Sequence, residues 1–193
     1  MVPDPIFPDL FRDDVFRIET RRLWLRWPTT RDAGAIARLA GERAVAEMTA
    51  RIPHPLGRDA VDAFVARARS GNGAGSALTL ALCEHARPDR LIGLAAVEPA
   101  PEGHVPHLGY WLGRPHWGVG LMSEAADALV RAWFPWAAGT RIESSVRVVN
   151  PASRRVLEKV GFVWTGRGLQ DFPARGCPVE VDRFRLEYGR WAA

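Results

Sequence analysis

Two glycines two residues apart, Gly118 and Gly120, lie between a run of strand formers and an amphipathic segment, within the stretch GYWLGRPHWGVGLMSEA from Gly109 to Ala125. Tyr110, Trp111 and Leu112 favour a strand, and Gly113, Arg114 and Pro115 break it. The two glycines then allow a backbone that turns its N–H groups outward where a helix begins. A helix start offers unpaired donors and a partial positive charge, which is the chemistry of phosphate or pyrophosphate binding. Taken alone, a Gly-x-Gly turn serves equally well as a tight strand-to-helix connection. A second stretch, NPASRRVLEKVGF from Asn150 to Phe162, brings a side-chain amide, a hydroxyl at Ser153 and a guanidinium at Arg154 to the start of another helix. Asn150 reads as its cap, Pro151 as its first residue and Gly161 as its left-handed stop.

The elements that must hold these residues follow from periodicity. Arg17 to Trp27 reads as one strand, with Leu23, Leu25 and Trp27 alternating against Arg22, Trp24 and Arg26. Thr29 or Thr30 caps a helix through Ala40, and a second amphipathic helix spans Arg58 to Arg69. SGNGAGS (70–76) reads as a loop. Ala77–Cys83 and Arg90–Val97 form an antiparallel hairpin, and the next strand runs from Val105 or Pro106 to Leu112. A helix over Ser123–Phe134, a strand over Arg141–Val148, a helix over Asn150–Val160 and two strands around the loop QDFPARGCP complete the chain. This order predicts a mixed α/β (α+β) domain whose central sheet is covered on both faces. Residues 1–16 form a proline-broken acidic arm, and 17–193 a single domain.

Composition narrows the function. At 193 residues one domain is expected, and 47% hydrophobic content supplies a core. The net charge of +4 invites a nucleic-acid reading, but Lys159 is the only lysine and the arginines are scattered without a basic run. A nucleic-acid partner is therefore not expected. Cys83 and Cys177 fit neither metal spacing nor a disulfide framework, so no metal is predicted and both are read as free thiols in a reducing compartment. No apolar run reaches membrane-span length, and the N-terminal segment lacks a signal-peptide pattern, so a cytoplasmic location is expected.

Together, the two stretches resemble the GNAT superfamily of acyl-CoA-dependent N-acetyltransferases. The GYWL strand, the W-G-x-G turn with its Ser-Glu-Ala helix start, and the N-x-x-S-x-R-V-L-E-K-x-G-F segment are similar to the RimJ/RimL-like branch. That branch contains the ribosomal-protein alanine and serine N-acetyltransferases. Glu19–Arg26 (ETRRLWLR) also looks like the branch's first strand, and the likeness covers about residues 17–188. It implies a three-layer fold, with a mostly antiparallel twisted sheet and a splayed pair of central strands.

The resemblance implies roles residue by residue. Trp117, Gly118, Val119, Gly120, Leu121 and Met122 match the turn whose amides hold the CoA pyrophosphate. Met122 departs from the usual Gly or Ala and is expected to narrow the approach. Asn150 matches the asparagine that bonds the pantetheine arm. Ser153 matches a hydroxyl near the thioester sulfur and is the candidate acid, with helix capping as its alternative role. Arg154 is a candidate phosphate contact, with a solvated helix face as the equal alternative. The strand end at Tyr110, Trp111 and Leu112 supplies a backbone donor to the reacting carbonyl oxygen. The wider superfamily often has a tyrosine acid where this chain has Leu157. The branch often has Glu where this chain has His107, which becomes one candidate base, with Glu98 as the second. An N-terminal α-amine has a pKa near 8 and could react without a base.

The implied activity is acetyl transfer from acetyl-CoA, as cosubstrate, to a primary amine. A protein N-terminus is favoured as acceptor, and a polyamine or aminoglycoside is the alternative. A catalytically silent GNAT-shaped CoA-binding module is the reading from another class. Glu42, Glu47 and Asp171 could attract a cationic amine or simply be solvated surface acids. The likeness leaves monomer and homodimer open.

Overall fold

The computed structural model describes residues 16–99, 105–137 and 139–191. The expected arm at 1–16 therefore lies, apart from Phe16, outside the described residues. Eight strands form one sheet: β1 (Arg17–Glu19), β2 (Leu23–Arg26), β3 (Leu78–Glu84), β4 (Leu91–Pro99), β5 (Pro106–Leu112), β6 (Arg141–Arg147), β7 (Val163–Phe172) and β8 (Cys177–Glu187). Their spatial order is β1-β2-β3-β4-β5-β6-β8-β7. Every neighbouring pair is antiparallel except β5–β6, which is parallel.

Helices cover both faces. On one side α1 (Ala33–Ala40), the short α2 (Arg43–Ala46) and α3 (Arg58–Gly73) bury Ile36, Leu39, Val45, Val61 and Val65 against Leu94 of β4 and Trp111 of β5. On the other, α4 (Leu121–Ala137) and α5 (Pro151–Val160) bury Leu121, Leu129, Phe134, Leu157 and Val160 against Leu25, Leu80, Leu108 and Phe184. A short α6 (Tyr188–Trp191) ends the described chain. Strand alternation produces this division: Leu94 and Trp111 are register partners facing one layer, while Leu108 and Leu112 face the other. The three-layer mixed α/β architecture expected from the sequence is the one observed.

Three expected elements are drawn differently. The single strand over Arg17–Trp27 is a hairpin, with Arg17 paired to Arg26. Thr20 breaks it because its backbone N–H and its hydroxyl both take the Leu23 carbonyl, at 2.9 and 3.2 Å. Within the expected loop 70–76, α3 continues through Gly73. The Asn72 side chain is fully buried there, accepting from Thr79 N–H at 2.8 Å and donating to Thr79 C=O at 2.9 Å. The expected loop 170–178 is the tip of a long β7–β8 hairpin, closed by one 3-10 turn (Pro173–Arg175) and Gly176 at φ 68°. Ala174 N–H donates to Ala50 C=O at 3.0 Å, and the Arg175 guanidinium donates to the Ile52 carbonyl. The tip is thus fastened to the segment between α2 and α3.

Candidate active site

The parallel pair β5–β6 joins at one register position, His107 with Glu143. Ser144 Oγ donates to Leu108 C=O at 2.8 Å beside that joint. Beyond it the strands diverge towards their C-terminal ends, which lead into the Gly118–Gly120 turn and into α5. The expected splay is present, and both candidate helix starts sit at its open end.

The turn has the backbone that its glycines allow. Gly118 and Gly120 adopt φ 80° and 81°, a conformation costly for other residues. Among the described residues, no backbone carbonyl accepts from the amides of Gly118, Val119 or Gly120. A Cβ placed on Gly118 would meet nothing within 4 Å, so the space above that amide is open. Trp117 Nε1 donates to Leu112 C=O at 2.6 Å, fixing the lip of the turn to the end of β5. From below, Arg22 Nη1 donates to Val119 C=O at 2.8 Å, and Arg22 Nε binds Glu124 Oε2 at 2.7 Å. Glu124 also accepts from the Thr20 hydroxyl at 2.6 Å and from Arg22 N–H at 2.7 Å. Burial acts to raise the Glu124 pKa, but these donors outweigh it and hold the carboxyl below its ordinary range. The break in the first strand and the start of α4 are therefore one hydrogen-bonded unit. Arg22 and Glu124 were not among the residues expected at the site, although both lie in the quoted motifs.

Met122, expected to narrow the approach, lines the groove at the start of α4. Its side chain is 6% exposed and belongs to the core beneath the sheet. Leu121 is buried alongside it, while Trp117 and Val119 are exposed.

Across the splay, Asn150 Oδ1 accepts from Ser153 N–H at 3.1 Å, so Asn150 is the cap of α5 and Ser153 is not. The Ser153 hydroxyl instead meets Tyr110 Oη at 2.9 Å, and Tyr110 Oη donates to Ser153 C=O at 3.0 Å. Burial pushes the Tyr110 phenol well above its ordinary range, and the hydrogen bond with Ser153 only partly offsets this. The phenol keeps its proton at neutral pH. The sequence pointed to Tyr110 for its backbone, and the pairing of the two hydroxyls is new. Leu157, at the position where a tyrosine is common, is fully buried in the core.

Arg154 leaves this constellation. Its guanidinium binds Glu158 at 2.8 Å and Asp182 at 3.3 Å, which holds it over β8. Asp182 is almost fully buried and also accepts from Trp164 Nε1 and Arg167 Nε, each at 3.1 Å. On α5 the cations that line the groove are Arg155 and Lys159.

At the closed end of the splay, His107 and Glu98 face each other across β4–β5 on the α1–α3 side. His107 Nε2 lies 3.3 Å from Ser145 Oγ, and Glu98 Oε2 accepts from Arg51 Nη2 at 2.7 Å. Burial, reinforced by the charge of Arg51, lowers the His107 pKa, and Glu98 and Glu143 oppose this incompletely. The ring is therefore neutral at pH 7 and able to accept a proton. Among the other acids considered, Glu47 and Asp171 line the groove, Glu47 being paired with Arg43 at 2.6 Å, and Glu42 is paired with Arg114 at 3.4 Å.

One groove of about 2200 Å³ takes in Gly118 and Gly120, Tyr110 and Ser153, and then His107 and Glu98. No group of three or more potential metal ligands is found among the described residues, and no described helix is long and apolar enough to cross a membrane.

A parallel strand pair that splays towards two helix starts, with unpaired amides at one and paired hydroxyls at the other, is the framework of an acyltransferase. The chain belongs to the GNAT family of acetyltransferases, since the family described as "Acetyltransferase (GNAT) domain" matches residues 22–163. A ribosomal-protein-serine acetyltransferase from Escherichia coli is 32% identical over 81 residues, covering 42% of this chain and 45% of that protein. The match thus spans less than half the length of that curated relative. The ribosomal-protein-S5-alanine acetyltransferase of Vibrio fischeri superposes with a TM-score of 0.77 at 18% identity, covering 91% of this chain and 98% of that one. RimL, a ribosomal L7/L12 α-N-protein acetyltransferase solved with coenzyme A, gives 0.75 at 20% identity, covering 89% and 98%. These structural neighbours share the fold.

Proposed function

We propose that this acetyltransferase uses acetyl-CoA and acetylates a primary amine, with a protein N-terminal α-amine as the preferred acceptor. The observation that carries the reading is the single groove joining the Gly118–Gly120 turn to the splay between β5 and β6. The turn fits a pyrophosphate: its amides lack acceptors among the described residues, open space stands above Gly118, and a 17-residue helix begins at Leu121. When bound, acetyl-CoA supplies an acyl carbon already activated as a thioester.

The chain's own residues would divide the remaining work. Amides of the turn hold the phosphates while Arg22 keeps the turn in shape. Backbone freed by the splay near Tyr110–Leu112 offers a donor to the thioester carbonyl oxygen. The Tyr110–Ser153 hydroxyl pair keeps a proton available for the departing sulfur. His107, directly or through water, relieves the incoming ammonium of its proton, and Glu98 acts beside it. The kinship with ribosomal-protein acetyltransferases supports a protein acceptor.

The test is a thermal-shift titration with acetyl-CoA, followed by thiol release with N-terminal peptides, polyamines and aminoglycosides. Stabilisation plus turnover on peptides is the expected result. No binding at millimolar acetyl-CoA would overturn the reading. Turnover confined to small amines would replace the acceptor, and binding without turnover on any of them would favour a catalytically silent module, for which Met122, His107 and Leu157 are the motivating residues.

A further inference from the structure

A second cleft lies outside the groove, between α1 and the turn joining β3 to β4. It has a volume of about 470 Å³, and its lining includes Arg31, Arg38, Arg87 and Arg90. None of these four guanidinium groups has a side-chain partner among the described residues. By comparison, Arg22, Arg26, Arg51, Arg154, Arg167 and Arg185 are each engaged by a carboxylate.

Two acids also border the cleft, and one is already committed. Asp32 is 2% exposed and accepts both Nη atoms of Arg26, at 2.8 and 2.7 Å, together with Thr29 N–H at 2.7 Å. Asp89 forms no ion pair with any of the four arginines. The cleft therefore carries a cationic excess. Like charges gathered around one concavity repel, and the planar fork of arginine matches carboxylate and phosphate oxygens in pairs. Among the described residues no aromatic side chain lines the cleft to stack a base, and its volume is that of a small-molecule site.

We propose that this cleft binds a compact polyanion, a small molecule bearing two or more phosphate or carboxylate groups. The site shares no lining residue with the active-site groove. It lies beside Leu91 at the start of β4, whereas the candidate base Glu98 is seven residues along the same strand, roughly 23 Å away at ~3.3 Å per residue. The inference does not rest on the acetyl-CoA reading.

Isothermal titration of pyrophosphate and, separately, citrate into acetyl-CoA-saturated protein at low salt tests it. One saturable site is expected. The tighter of the two probes identifies phosphate or carboxylate as the preferred source. Arg38→Gln with Arg90→Gln should weaken binding by about tenfold or more and leave acetyl-CoA affinity unchanged. The alternative pair Arg31→Gln with Arg87→Gln should give the same loss, which guards against one pair failing to fold. If acetyl-CoA does not bind, the comparison of wild type with variants is run without it and decides the cleft alone. No saturable binding of either probe at millimolar concentration, or equal binding by wild type and both variants, would overturn the proposal.

Discussion

Tyr110 Oη and Ser153 Oγ stand 2.9 Å apart, one carried by β5 and the other by the first turn of α5. The contact ties β5 to the helix that follows β6, so each hydroxyl orients the other. In the proposed mechanism this pair is the proton store. Tyr110→Phe and Ser153→Ala should each lower kcat by on the order of a hundredfold, with little change in KM for acetyl-CoA. The double variant should lose scarcely more than either single one, because two members of one relay are not additive. Steady-state kinetics of the four proteins checks this, and additive losses would separate their roles.

The Arg22–Glu124 unit predicts a different defect. Glu124→Gln removes a carboxylate that accepts three hydrogen bonds, and the turn above it should loosen. We expect a stability loss of about 1–3 kcal/mol and a KM for acetyl-CoA raised about tenfold, with kcat changed less. The folded-state pKa of Glu124 is depressed, so its stabilising contribution is complete above the ordinary carboxylate pKa. It is lost as pH falls through the folded value. Thermal melts across acidic pH should therefore show a smaller acid slope in the variant than in the wild type.

His107 sets the pH prediction for activity. Its lowered pKa keeps the ring neutral below the usual histidine range, so the acidic limb of kcat/KM should fall under about pH 6.5. His107→Gln should remove that limb if the ring is the base. Restoring charge balance by Arg51→Gln should move the limb upward, since Arg51 contributes to the depression. The same shift has a stability consequence. The contribution of neutral His107 is complete above the unfolded pKa and is lost as pH falls through the folded one.

The two turn glycines make a backbone prediction. The methyl group of Gly118→Ala meets nothing within 4 Å among the described residues, so the cost of the substitution should be the strain of a positive φ, about 1–2 kcal/mol. Its added methyl group projects into the space proposed for the phosphates. CoA affinity should drop further than the melting temperature alone would imply, as calorimetry of the variant would show.

The cysteines give a simple control on the structure. Cys83 is fully buried, and burial pushes its thiol up to about 11, whereas Cys177 is exposed. A thiol reagent should titrate one group in the native protein and two after denaturation.

Local grammar made much of this legible. Leu23 and Leu25 alternate as expected and are both fully buried, and the Asn150 cap and the left-handed Gly161 end α5 where anticipated. Glycine spacing announced the turn. What escaped depends on partners distant in the chain. The break at Thr20–Arg22 answers to Glu124, about a hundred residues on. Arg154 turns away because Asp182 draws it towards β8. Nothing local to Tyr110 indicates that its hydroxyl meets Ser153. The arginine cleft likewise exists only because the β3–β4 turn faces α1.

The buried amide of Asn72 substitutes for a peptide unit: it gives Thr79 one donor and one acceptor, as a neighbouring strand would. A helix and a strand are thereby pinned in register only seven residues apart. The few residues between them cannot be lengthened or shortened without unseating that pair, despite their glycine-rich, linker-like composition. Insertions arising in relatives of this chain should accordingly avoid this connection, and a tag or reporter introduced into the protein should be placed elsewhere.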